Sequence, residues 1–175
     1  MGLSVQDRGR TVATFRHIHV EMMETLAQWT PSAPEMEVKL MLGEHIWDVA
    51  QNADALGKRT RELRLPLQHS IKPADPYAGL LADIRKEADT ARRLGSFYDV
   101  LLPGLESRFR AYLDQTDELL DGPTVRILQQ IQDVQSRMMK QSRKLRAELP
   151  ELGKVDGEWL KALTRRESQI ASVVA

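Results

Sequence analysis

An all-α fold is predicted: two helical hairpins joined by a long crossover, with an extra helix at the C-terminal end. Three observations predict it. Apolar residues recur three and four positions apart over long stretches. No stretch alternates apolar and polar residues over six positions with β-branched enrichment, and no Asn-Gly or Asp-Gly hairpin turn joins such runs. Pro31 and Pro34, and then Pro66, Pro73 and Pro76, fall between the periodic stretches.

The first helix is predicted over about Val12 to Gln28, with a stripe of Val12, Phe15, Met22, Leu26 and Trp29. Residues 1–11 are expected to be a flexible N-terminus. Thr30-Pro31-Ser32-Ala33-Pro34 ends the helix, because proline cannot sit in a helix interior. A second helix starts at Ser32 or Pro34, with Glu35 and Glu37 favourable in its first turn, and runs to about Leu63. Its stripe is Leu42, Ile46, Val49, Ala53 and Leu56, and the short link predicts an antiparallel hairpin. Arg64 to Tyr77 contains Pro66, Pro73 and Pro76 and reads as the crossover.

A third helical region is expected over about Ala78 to Leu120, kinked or divided at Pro103-Gly104. Leu81, Ile84, Ala88, Ala91 and Leu94 carry its first half, and Leu105, Phe109, Tyr112 and Leu113 its second. Asp121-Gly122-Pro123-Thr124 reads as a stop followed by a start, with Asp121 or Gly122 as cap. The fourth helix follows over about Pro123 to Glu148, on a stripe of Thr124, Ile127, Ile131, Val134, Met138 and Leu145. Residues 149–175 form a tail with a short helix over about Asp156 to Ala171, docked by Trp159 and Leu163.

Composition narrows the chemistry. The absence of cysteine removes disulfides, thiolate metal sites and cysteine nucleophiles. Lys and Arg together number 25 and so do Asp and Glu, which argues against wholesale nucleic-acid binding. No apolar run approaches the roughly 18 to 20 residues of a membrane span, and Met1–Arg10 lacks a secretory h-region, so a cytoplasmic protein is expected. Gly-rich phosphate loops are absent.

Two stretches carry a family likeness. One is His45-Ile46-Trp47-Asp48-Val49-Ala50, continuing through Ala53-Asp54-Ala55-Leu56 to Arg59 and Arg61-Glu62-Leu63. The other is Asp117 to Leu128, centred on Asp121-Gly122-Pro123-Thr124-Val125-Arg126-Ile127-Leu128. Over roughly residues 12 to 140 the chain resembles a bacterial branch of the ferritin-like four-helix-bundle proteins. The resemblance implies a four-helix bundle with one long crossover over residues 12–148. In enzymes of that superfamily, one helix pair gives a Glu each and the other a Glu-x-x-His each, to two metal ions.

That ligand set is missing here. Thr14, Arg16, Leu42 and Pro66 stand three positions before His17, His19, His45 and His69, so the chain has no Glu-x-x-His. Between Leu119 and Ala147 there is neither Glu nor His. Aligned on the Pro-Thr-x-Arg-Ile-Leu start, the usual ligand positions fall near Val134 and Arg137, which supply no lone pair to iron. The expectation is a degenerate member with no cofactor, acting as a metal-free accessory or binding protein or a cofactor-independent enzyme in a bacterial metabolic pathway.

Several constellations remain. His19, His45 and Asp48 would form a buried polar cluster if the inner faces of the first hairpin meet. Such a cluster reads either as a His–carboxylate proton-transfer unit or as a satisfied hydrogen-bond network. On the third helix, Glu106 beside Pro103-Gly104 could project inward and Tyr112 donate a hydrogen bond, with Tyr98 nearby. The plainer reading is tyrosines at helix interfaces. Arg126, Arg137, Lys140, Arg143, Lys144 and Arg146 make the fourth helix basic, for docking an acidic partner or as a solvated face. The methionines read as core filling.

The alternative is an unorthodox iron- or manganese-dependent oxygenase. It would gather Glu21, Glu44 and His45, with His17 or His19, Asp48 and Glu106, into one site. A third reading is an oligomerisation scaffold, a homodimer with Met23, Trp47 and Ile18 as contacts. A small-molecule ligand or a partner enzyme is the expected partner, with no nucleic acid and no membrane.

Overall fold

The computed structural model describes residues 3–175, which are helical and contain no strand. The first helix, α1 (Val5–Trp29), starts earlier than its apolar stripe implies. Ser4 caps it. The Asp7 N–H donates to Ser4 Oγ at 3.1 Å and the Ser4 N–H returns a bond to the Asp7 carboxylate at 3.3 Å. This capping box satisfies two otherwise orphaned donors. Residues 3–11 are therefore not a loose arm. Arg8 and Gly9 are buried, Arg8 reaching the Leu120 carbonyl. Met1 and Gly2, the rest of that predicted arm, lie outside the described residues.

Helix α2 (Met36–Glu62) returns antiparallel to α1. The crossover then leaves α2 and is pinned to it at Gly57. The Gln68 N–H donates to the Gly57 carbonyl at 3.0 Å, and the Gln68 side chain lies across the helix there, accepting from Arg16 and donating to Asp54. Arg64 and Gln68 both take positive φ, which makes the bend. The crossover ends in α3 (Asp75–Arg85), opened by Pro76.

The predicted third helix is broken, but not where the sequence suggests. The break falls at Lys86–Asp89, where Asp89 caps α4 (Thr90–Leu94) by accepting from the Arg92 N–H at 2.9 Å. Helical backbone then continues through a π-helical segment, Gly95–Leu101, into α5 (Leu102–Gln115). Pro103 does not divide this run. It sits in the first turn of α5, just after the wide π turn whose last bond joins the Leu102 N–H to the Phe97 carbonyl. Proline lacks a donor and crowds the carbonyl four residues back, so a turn that bonds five residues back accommodates it.

Helix α6 (Glu118–Glu148) begins one turn before Pro123, capped by Asp117, and bends at Asp121, which has φ −132°. The stop and start expected at Asp121–Thr124 is this bend, but the Asp121 side chain caps no backbone N–H of the turn that follows. That carboxylate is fully buried. It accepts from Arg59 Nη2 on α2 at 2.9 Å, Tyr112 Oη on α5 at 2.6 Å, Thr116 Oγ1 at 2.8 Å and Thr124 Oγ1 at 2.6 Å. Burial opposes its charge, but these donors hold its carboxyl below the usual range.

Contacts fix the helix directions. Phe15 meets Phe109 and Trp29 meets Phe97, so α1 is antiparallel to the α4–α5 run. Arg59 meets Thr124 while His45 meets Gln141, so α2 is antiparallel to α6. The order is hairpin, crossover, hairpin around one apolar core. Ile18, expected as a surface contact, is in that core at 0% exposure. Helix α7 (Gly157–Ser168) and the tail pack on the outside. Leu163 packs against the core and Trp159 lies under the Arg92 guanidinium, as expected of docking residues, and Glu167 adds a third, unexpected anchor. It is buried against Gly104, where any Cβ would overlap its carboxylate, and pairs with Arg108 at 2.6 Å.

Gly57→Ala should lower stability by about 1–3 kcal/mol, because the new Cβ would overlap the Gln68 amide and break its bonds. In a Gln68→Ala background the same change should cost little. Urea denaturation of the four proteins in this double-mutant cycle checks the coupling.

Candidate functional site

The densest set of chemically capable side chains lies where α2, the π-helical segment and α6 meet. Glu44, His45 and Asp48 come from two turns of α2, Tyr98 from the π turn, and Arg137 and Gln141 from positions four apart on α6. Residues four apart lie on one helix face, so both α6 side chains reach α2.

These groups form one continuous relay. Tyr98 Oη lies 2.6 Å from His45 Nδ1, and His45 Nε2 lies 2.8 Å from Gln141 Oε1. Gln141 Nε2 donates to Glu44 Oε1 at 3.1 Å. Arg137 donates to Glu44 at 3.0 Å and to Asp48 at 2.8 Å. A carboxylate only accepts, which fixes the Gln141 amide with its oxygen towards His45. His45 Nε2 must then carry the proton, and Nδ1 accepts from the Tyr98 hydroxyl. Burial pushes the His45 imidazole below its ordinary value, against the opposing pull of the Gln141 bond and of Asp48 and Glu44. Burial pushes the Tyr98 phenol up, keeping it a neutral donor. Both His45 nitrogens are therefore committed within the chain.

His19 does not join this group. It is fully buried, its Nδ1 donates to the Phe15 carbonyl at 2.7 Å, and its ring lies parallel to Phe109 with centroids 6.1 Å apart. Burial lowers its pKa to about 4, with the Phe15 bond opposing. Among the described residues its Nε2 has no partner, and neither has either end of the buried Gln135 amide. Of the expected cluster, His45 and Asp48 share one relay, Asp48 joining it through Arg137, while His19 stands apart.

The remaining candidates are dispersed. Glu106 is half-buried and pairs with Arg110 at 2.5 Å instead of projecting into the bundle. Tyr112 does donate inward, but to the Asp121 carboxylate. Glu21 lies on the α1–α3 side, 3.4 Å from Arg85 and 3.8 Å from His17. Glu44 lies on the α2–α6 side. Among the described residues no three His, Asp or Glu side chains converge as a metal site.

A cleft of about 350 Å³ opens between α1 and α3, lined by His17, Glu21, Lys72, Pro73, Ala78 and Leu81. Its lining combines the apolar Pro73, Ala78 and Leu81 with the polar His17, Glu21 and Lys72, and its volume is on the scale of a small organic ligand. Sequence reasoning missed Gln141, a neutral amide that no search for ligands or bases would select. It also missed the pairing of Tyr98 with His45, which depends on the π turn. No family model matches the chain, and no curated protein or solved structure matches it.

Both buried histidines are neutral in the fold and accept a proton on unfolding. Between pH 6.5 and about 4 the unfolded chain binds more protons, so stability falls as pH falls. His19 alone should account for a loss on the order of 3 kcal/mol across that window. Urea denaturation at a series of pH values should show this limb. His19→Gln, which cannot titrate, should make it shallower.

Proposed function

We propose that this chain is a ferritin-like bundle whose interior polar relay stands in place of a metal centre, and that it works as a metal-free binding or accessory protein. The observation that carries the reading is the commitment of the donor set. His45 spends both nitrogens on Tyr98 and Gln141, while Glu44 and Asp48 are held by Arg137. A guanidinium among the carboxylates supplies the positive charge that a cation would otherwise bring. Val134 packs against the core and Arg137 is in that ion-pair set, so α6 offers neither residue as a ligand. The side chains present do not fit a pair of iron or manganese ions.

The hairpin–crossover–hairpin order and the two family-like motifs support the ferritin-like assignment. The ligand-sized cleft between α1 and α3 supports a binding role. The oxygenase alternative needs Glu21 to join Glu44 and His45, and it is disfavoured because these residues belong to different interhelical seams, Glu21 being held by Arg85.

The test is metal analysis by mass spectrometry after expression with iron and manganese and again after Fe(II) reconstitution and desalting. Less than about a tenth of an equivalent is expected, with a melting temperature indifferent to chelator. Bound metal at one or two equivalents, lost in His45→Ala, would overturn the metal-free reading.

A further inference from the structure

Helix α2 carries an apolar stripe on its outer face that the bundle does not use. Met36, Leu40 and Trp47 are 62%, 68% and 67% exposed. Gly43 lies on the same stripe, and a Cβ there would meet nothing within 4 Å. Spacings of four, three and four are those of a helix–helix seam. Gly43 is unexplained by its own chain. Glycine is a poor helix former, no neighbour crowds it, and it sits mid-helix, so its use is a close approach from outside.

The stripe is self-complementary. A two-fold axis between Met41 and Leu42 would set a second α2 antiparallel to the first. Trp47 of one copy then meets the partner's Met36, a thioether against an aromatic ring, and Leu40 enters the hole left by the partner's Gly43. Charge agrees with this arrangement. Glu37 and Lys140 are exposed and make no ion pair among the described residues. Helix α6 flanks α2 on the side of Glu44, where Gln141 reaches it, so Lys140 of each copy falls near the level of the partner's Glu37.

We infer that this face binds a second copy of the chain as an antiparallel, two-fold dimer through α2. A contact of one helix pair falls at or below about 1,200 Å² of buried surface, so the association is reversible. The inference stands independently of the metal-free reading.

Sedimentation velocity on the full chain, from about 1 μM to about 1 mM, tests it. The mass should rise from that of the 19.9 kDa monomer towards twice that value. Trp47→Lys should abolish the rise, with the circular dichroism spectrum unchanged. Gly43→Ala should raise the melting temperature, since it improves the helix without a clash, yet weaken dimerisation about tenfold or more by filling the hole. Glu37→Lys should weaken it, and adding Lys140→Glu should restore it. Monomer mass at every concentration would overturn the proposal, as would a dimer that Trp47→Lys and Gly43→Ala leave intact.

Discussion

A fully buried carboxylate must find donors or not be charged, and Asp121 finds them on three elements. Arg59 from α2, Tyr112 from α5 and Thr116 and Thr124 from either side of the bend all converge on it. Removing one partner of such a set leaves a charge buried and uncompensated, typically at about 3–5 kcal/mol. That demand fixes the register of α2 against α6 at one end of the bundle. His45 lies two heptads before Arg59 on the same face of α2, so the register that satisfies Asp121 also turns His45 towards Gln141. The bend at Asp121 and the first turn at Pro123 follow from the same requirement.

The interior polar chemistry is thus divided between two networks. One ends the bundle at Asp121. The other runs from the buried Tyr98–His45 pair through the largely buried Asp48 out to the half-exposed Arg137 and Glu44. The π turn matters to both the fold and the second network, since it admits Pro103 and presents Tyr98 to His45. A neutral imidazole with a donor on one nitrogen and an acceptor on the other is stable in an apolar setting, and no lone pair of it is left over. Among the described residues His19 Nε2, both ends of the Gln135 amide and Asp48 Oδ2 are buried without a partner.

The helix order was legible because the apolar stripes are long and regularly spaced. Phe15, Met22, Leu42, Leu105, Phe109 and Met138 all enter the core. What stayed hidden lay in polar residues whose meaning depends on distant partners. Ser4 and Asp7 carry a capping signature, yet the polar run around them reads as a loose end. Asp89-Thr90 starts a helix inside a stretch that periodicity treats as continuous. Asp121 beside Gly122 reads as a cap because nothing local announces Arg59 and Tyr112. Glu167 reads as solvated, since neither Gly104 nor Arg108 is near it in sequence. At the site, His45 and Asp48 were visible as candidates, but the α6 side chains that join them were not. Helical spacing puts them on one face of α2, and only the packing of α6 decides which takes Gln141 and which takes Arg137.

The central claim is that His45 is a neutral, fully committed imidazole and not a metal ligand. The direct measurement is the nitrogen NMR spectrum of its ring, recorded as a function of pH and of added Mn(II). The account predicts the tautomer protonated at Nε2 from pH 8 downward, taking up its second proton only at lower pH than a free imidazole, with resonances that one equivalent of Mn(II) leaves sharp. A neutral ring with its proton on Nδ1, or loss of the His45 signals on adding the metal, would contradict it.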